Sequence, residues 1–250
     1  MKIAAILAVA GLAGVASAQV SIVNNIPGSF TSIVGLPGTT AIAGVADDSE
    51  HNIVSTVGNS IFAAGNLRIG NNGVVVSGST TGDIGFTNAS IATTSLTGLV
   101  GTAGTGASAA LLPLWDDHIP LSGQGANTIF WREDAGVLTI QWTNEDHFSA
   151  PGTGTITFQL KVFAEGAGPS GALAQYIYPD AFYSTGATTN FAGSATIGYI
   201  GTGLNNNFQW SFNSAQPDVQ GGMATLSVIP APGAAALLGL AGLIAGRRRR

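Results

Sequence analysis

The sequence predicts an all-β protein, an antiparallel β-sandwich of jelly-roll-like form, and three observations carry that prediction. Apolar and polar residues alternate at period two in several short stretches, the spacing that turns one face of a strand inward. Gly, Asn, Ser and Thr punctuate the intervals between these stretches, as turns require. Between the terminal segments no stretch has the 3.6-residue period of an amphipathic helix, and no repeat of fixed length suggests a solenoid or propeller.

In chain order, LRIGNNGVVV places Asn72-Gly73 between two apolar runs, a hairpin signal. Ala89 to Ala110 is rich in Gly, Ala, Ser and Thr and reads as a long flexible loop. TIFWREDAGVLTIQW reads as two strands joined at Glu133-Asp134-Ala135-Gly136, where Gly136 supplies a positive φ. In VLTIQWT, Leu138, Ile140 and Trp142 face in. In GTITFQLKVF, Ile156, Phe158, Leu160 and Val162 face in, while Thr155, Thr157, Gln159 and Lys161 face out. Gly166 to Gly171 is a shorter break. SATIGYI (194–200), FQWSFN (208–213) and MATLSVI (223–229) complete the expected strands.

The two ends read as address labels. MKIAAILAVAGLAGVASAQ has one lysine, an apolar run, and Ala16-Ser17-Ala18 before Gln19, the small-residue pattern of a signal-peptidase site. This gives a signal peptide over 1–18, an extracellular β-sandwich domain over 19–229 and a sorting or anchor segment over 230–250. In that last segment an apolar stretch, Ala234 to Ala245, lies between Pro230-Ala231-Pro232 and Arg247, Arg248, Arg249 and Arg250. It is shorter than the roughly 20 apolar residues that span a bilayer comfortably, so it suits a transient membrane helix held by cytoplasmic arginines. These residues resemble the PEP-CTERM sorting tail of exported bacterial proteins. That resemblance implies recognition by an exosortase-type membrane enzyme and a cell-surface or extracellular fate. The Glu of the family triplet is replaced here by Ala231.

Setting the ends aside leaves Arg68, Arg132 and Lys161 against 13 acidic residues, a net charge of −10. Such a body is unsuited to nucleic acid, whose phosphates demand Lys and Arg. The absence of cysteine excludes disulfides, thiolate catalysis and zinc–thiolate sites.

All three histidines follow acid, in Asp47-Asp48-Ser49-Glu50-His51, Asp116-Asp117-His118 and Glu145-Asp146-His147. Three readings stand side by side. Asp, Asn and His at strand ends cap backbone groups and start turns, with Trp115 in the core and Asp116 accepting from nearby N–H groups. Alternatively, if WDDH and NEDH end adjacent strands, Asp116, Asp117, Glu145 and Asp146 crowd together around a cation such as Ca²⁺, with the DDSEH loop able to join. A hydrolase is the third reading, but no G-x-S-x-G elbow marks a nucleophile and no spacing demands a carboxylate pair. Of the four tryptophans, Trp142 and Trp210 fall among inward-facing residues, and Trp131 is the one left for stacking on a glycan.

Pro113, Trp115, Asp116 and Asp117, then Trp142, Thr143 and Asn144, then Thr157, Phe158 and Gln159 together resemble the nidogen-like β-sandwich module of bacterial surface proteins over roughly residues 58–163. The resemblance implies a binding or structural role without catalytic machinery. The expectation is an exported, non-enzymatic envelope or matrix protein that works through adhesion, matrix assembly or binding of Ca²⁺ or polysaccharide.

Overall fold

The computed structural model describes residues 19–27, 29–101, 104–120, 127–184, 187–201 and 207–229. The chain divides into two compact units, one of Ile22–Ser227 and one of Met1–Ser21 with Val228–Arg250; the second contributes to the described residues only the outer ends of the first and last strands. The expected signal peptide and C-terminal membrane helix, with the residues Ala16, Ala18, Pro230, Ala231, Pro232 and Arg247 to Arg250, lie outside the described residues. Gln19 is the first residue of the first strand.

The elements are β1 (Gln19–Pro27), β2 (Thr40–Ala41), β3 (Glu50–Ser55), β4 (Gly65–Gly70), β5 (Val74–Ser77), α1 (Leu96–Val100), β6 (Ala109–Trp115), β7 (His118–Pro120), β8 (Ile129–Asp134), β9 (Val137–His147), β10 (Ile156–Phe163), β11 (Ala174–Asp180), β12 (Thr196–Ile200), β13 (Phe208–Phe212) and β14 (Gly222–Ile229). The first sheet has the order β1-β14-β11-β10-β9-β8-β2, with β7 also pairing β9; the second has the order β13-β12-β6-β5-β4-β3. Consecutive strands β3 to β6 and β8 to β11, short β7 apart, stay within one sheet as meanders. The jelly-roll-like expectation is therefore met only at the level of two packed antiparallel sheets, since a jelly roll is built from Greek keys.

The strand signals are borne out locally. Ala135 (φ 49°) and Gly136 (φ 78°) form the two-residue turn between β8 and β9, and both take the positive φ that a type I′ hairpin demands. Trp142 stacks on Phe158 with ring centroids 4.8 Å apart, and its indole N–H donates to Gly70 O of the facing sheet at 3.0 Å. Tyr176 and Tyr178 reach across in the same way, donating to Gly198 O and Pro113 O. A tyrosine or tryptophan buried between sheets has to find such an acceptor, and these bonds hold the layers face to face.

Two expectations are corrected. The segment from Ala89 to Ala110 is not one long loop: it contains α1, whose N-cap Ser95 accepts from Gly98 N, and the start of β6. Ile84, Ile91, Leu96, Leu99 and Val100 pack on the outer face of the second sheet against Val74, Val76, Ala110, Leu112, Trp115 and Ile200. Both faces of β5 and β6 are thus covered, which explains why they read as unbroken apolar runs rather than alternating ones. The outward face of β10 is also covered in part. Gln159 is fully buried and donates to Thr31 O and to Gln141 Oε1, which in turn accepts from Ile33 N. The chain between β1 and β2 therefore lies across the back of β9 and β10.

Candidate functional site at the acidic pole

One pole of the sandwich gathers the end of β6, the start of β7, the end of β9 and the β4–β5 turn. WDDH is where the chain crosses between sheets: β6 ends at Trp115, Asp116 and Asp117 form a bend, and β7 joins β9 with His118 opposite His147, Ile119 opposite Asp146 and Pro120 opposite Glu145. WDDH and NEDH thus end neighbouring strands, and the Asn71-Asn72-Gly73 turn fastens the crossing. Asn72 Oδ1 accepts from His118 N at 2.9 Å, Asn72 O accepts from Asp116 N, and Asn71 Nδ2 donates to His118 O. Gly73 has φ +73°, and a Cβ there would stand 2.0 Å from Leu114 O. No other residue fits this turn.

The four carboxylates expected to crowd together are engaged differently. Asp116 is buried: one oxygen accepts from Ser194 Oγ at 2.5 Å, and the other accepts from Asp117 N and lies 3.4 Å from His147 Nε2. Burial raises its pKa, but the hydrogen bond to His147, the charge of any protonated His118 and the Ser194 hydroxyl outweigh it and hold the carboxyl below its ordinary value. Because His118 is itself neutral at pH 7, the His147 contact is the partner that matters there. Asp146 is committed to backbone, accepting from His147 N and Gly152 N and so closing the loop after β9.

Glu145 lies in the core. The register passes from Thr157 opposite Thr143 to Ile156 opposite Glu145, leaving Asn144 (φ 56°) as an extra, exposed bulge residue. The bulge resets the alternation, so Glu145 shares the inward face with Ile156. It is fully buried and neither oxygen has a hydrogen-bond partner; the Thr128 hydroxyl does not close a well-formed bond to it. Desolvation pushes its pKa up to about 8, with Thr128 opposing only weakly.

Asp117 turns outward. Its carboxylate converges with those of Asp47 and Asp48, ligand atoms from all three lying within 4.8 Å of one another; among the described residues this is the one such group. Burial, then the charges of Asp48 and Asp47, push Asp117 up to about 6. Asp48 also accepts from Asn72 Nδ2 at 2.8 Å, and one oxygen of Asp47 is buried without a partner. Hard carboxylate oxygens of this kind fit Ca²⁺ better than a soft metal. The set Asp116, Asp117, Glu145 and Asp146 does not close as one ligand group; Asp117 joins the DDSEH loop instead.

Ser194, His147 and Asp116 form a triangle that is not a nucleophilic relay. Ser194 donates to Asp116 rather than to the imidazole, whose Nε2 is 3.4 Å away. His147 Nδ1 accepts from Ser149 N at 3.1 Å, which leaves the ring proton on Nε2, facing Asp116. A base that already carries a proton on the nearer nitrogen cannot take one from Ser194.

Sequence reasoning missed Ser194, Tyr183 and the bracing role of Asn71 and Asn72, which carried only a hairpin signal. Trp115 is buried and donates to Gly85 O. Trp142 is fully buried, whereas Trp210 is half-buried at the sheet edge near Tyr178. Compared with known proteins, the chain matches no family model, no curated protein and no solved structure.

Proposed function

We propose that this is an exported, surface-associated, non-enzymatic protein of a bacterial envelope or extracellular matrix, sorted through its C-terminal tail by an exosortase-like enzyme. In this reading residues 1–18 direct secretion, the apolar stretch from Ala234 is a transient membrane helix, and the sandwich is the displayed module. The observation that carries it is the pairing of a signal-peptide pattern at one end with Pro-x-Pro, an apolar stretch and four arginines at the other. The polar cluster at the acidic pole is compatible with a display role, because its histidines and Ser194 are tied into internal hydrogen bonds. Deleting Ala231 to Arg250 is expected to release the protein into the medium or to block its maturation. An unchanged distribution between cells and medium overturns the sorting reading.

The convergence of Asp47, Asp48 and Asp117 favours a second reading, a Ca²⁺-dependent adhesion module. Those three residues would hold the ion, which would relieve their mutual repulsion and pin the loop before β3 to WDDH. Thermal melts in excess EDTA and in millimolar Ca²⁺ test it. A rise with Ca²⁺ that Asp117→Asn abolishes supports the site, and superimposable wild-type melts remove it. Glycan binding would fall to the half-buried Trp131 or Trp210, since Trp115 and Trp142 are enclosed; absence of fluorescence quenching by polysaccharide discards that variant.

A further inference from the structure

Glu145 poses a problem that neither reading of the protein uses. It is enclosed on every side, at the bulge where β9 leaves β10 and takes up β7, and both carboxyl oxygens lack a partner. A buried carboxylate in that state is among the costliest groups a fold can hold, and the neutral acid is far cheaper. Among the described residues its surroundings offer no positive charge, and only the Thr128 hydroxyl works against the rise of its pKa. Across the strand pairs it faces Ile156 of β10 and Pro120 of β7; Thr128, just before β8, contributes a hydroxyl that is itself unpartnered. A titratable group that feels its charge from another element is the phenol of Tyr183, which hydrogen-bonds His118 Nδ1 and is pushed far above its ordinary pKa by burial first and by Asp116, Glu145, Asp146 and Asp117 after it. Two positions further along β9, His147 is occupied by Asp116, and opposite it the enclosed His118 is neutral. No described cation reaches Glu145.

We propose that the β7–β9 end of the sandwich is a proton-held latch: it closes around the neutral carboxyl of Glu145 and loosens locally when that carboxyl ionises in alkaline medium.

The native carboxyl titrates near pH 8, against an ordinary glutamate near 4.3 in the unfolded chain. The native state therefore holds the proton more tightly, and Glu145 makes stability fall as pH rises between those two values and level off above the higher one. Glu145→Gln keeps the shape and removes the titration, leaving His147 and Asp116 as they are. With the purified full chain, the melting temperature of wild type minus that of Glu145→Gln is expected to decline steadily from pH 5 to 8 and then flatten. Above pH 8, amide exchange at Ile119 and Thr143 should exceed that of the variant at the same pH. A difference that is flat with pH, or equal exchange, overturns the latch. Should Glu145→Gln fail to fold, a carbon-13 carboxyl titration of the wild type decides: a midpoint between 7 and 9 is expected, and one below 5.5 ends the proposal.

Discussion

His118 and His147 sit directly opposite each other across the β7–β9 pair, yet their imidazoles are driven in opposite directions. Burial works against charge at both rings. His118 is fully enclosed, and burial holds its pKa down to about 4. Its Nε2–H donates to Leu114 O and its Nδ1 accepts from Tyr183 OH, a neutral tautomer with both nitrogens satisfied. At His147 the Asp116 carboxylate, with Asp117 and Asp146 beyond it, overcomes burial and raises the pKa above its ordinary value. One strand pair therefore carries a histidine that is neutral at pH 7 beside one held more readily in its protonated form.

The Asp116–His147 contact gives the fold a pH signature. Asp116 has a depressed native pKa, so its contribution is present above about pH 4 and is lost as pH falls through the native value. His147 has a raised one, so its contribution is full below about pH 6.5 and is lost as pH rises through the native value. The pair is strongest between those limits. Asp116→Asn is expected to cost about 3–5 kcal/mol at pH 5.5, the cost of breaking a buried pair, and less at pH 3, already below the unfolded value. Denaturant melts at the two pH values check this, and an equal cost at both would show that the charge of Asp116 is unimportant.

Gly73 and Gly44 have the same φ of +73° but different surroundings. At Gly44 nothing lies within 4 Å of an added Cβ, so Gly44→Ala should cost only the left-handed strain of about 1–2 kcal/mol. At Gly73 the Cβ meets Leu114 O, and the turn that carries Asn72 has to move. Gly73→Ala should cost clearly more and disturb His118 as well. Equal losses in the two variants would mean that the β4–β5 turn does not brace WDDH.

Leu99 tests the second core. If α1 packs as described, Leu99→Ala loses about 2–5 kcal/mol, as for any buried leucine. A mobile loop at that position would lose almost nothing, and the same melts would report it.

The fold was legible where one rule governs a residue. Period-two patterning located β9, β10 and β12 to β14, and Ala135-Gly136 announced its hairpin. It failed where a second layer intervenes. The Gly- and Ser-rich stretch before β6 hides Ile91, Leu96 and Leu99, three apolar residues too sparse to show a period but sufficient to seal a sheet face. The site was half legible. Adjacent ends for WDDH and NEDH entered only as the condition of the cation reading, with the DDSEH loop able to join, and the β7–β9 pairing meets that condition. The burial of Glu145 was not legible, because a bulge at Asn144 changes which face every later residue of β9 occupies, and no residue type announces it. Ser194 lies 78 positions from Asp116, a pairing that only the closed sandwich creates.

The direction of β14 gives the molecule a polarity. Gly222 lies opposite Tyr178, toward the acidic pole, and Leu226 lies opposite Ala174, at the far pole, where Asn59 Nδ2 donates to Phe163 O and Leu173 O. The chain thus runs out of its last strand heading away from WDDH. The loops carrying Asp47, Asp48, Asp117 and the exposed Phe148 lie at the pole opposite the one toward which β14 runs. A pull on β14 along its own axis toward that far pole would load it against β11 in shear, across the row of pairs from Gly222–Tyr178 to Leu226–Ala174 at once.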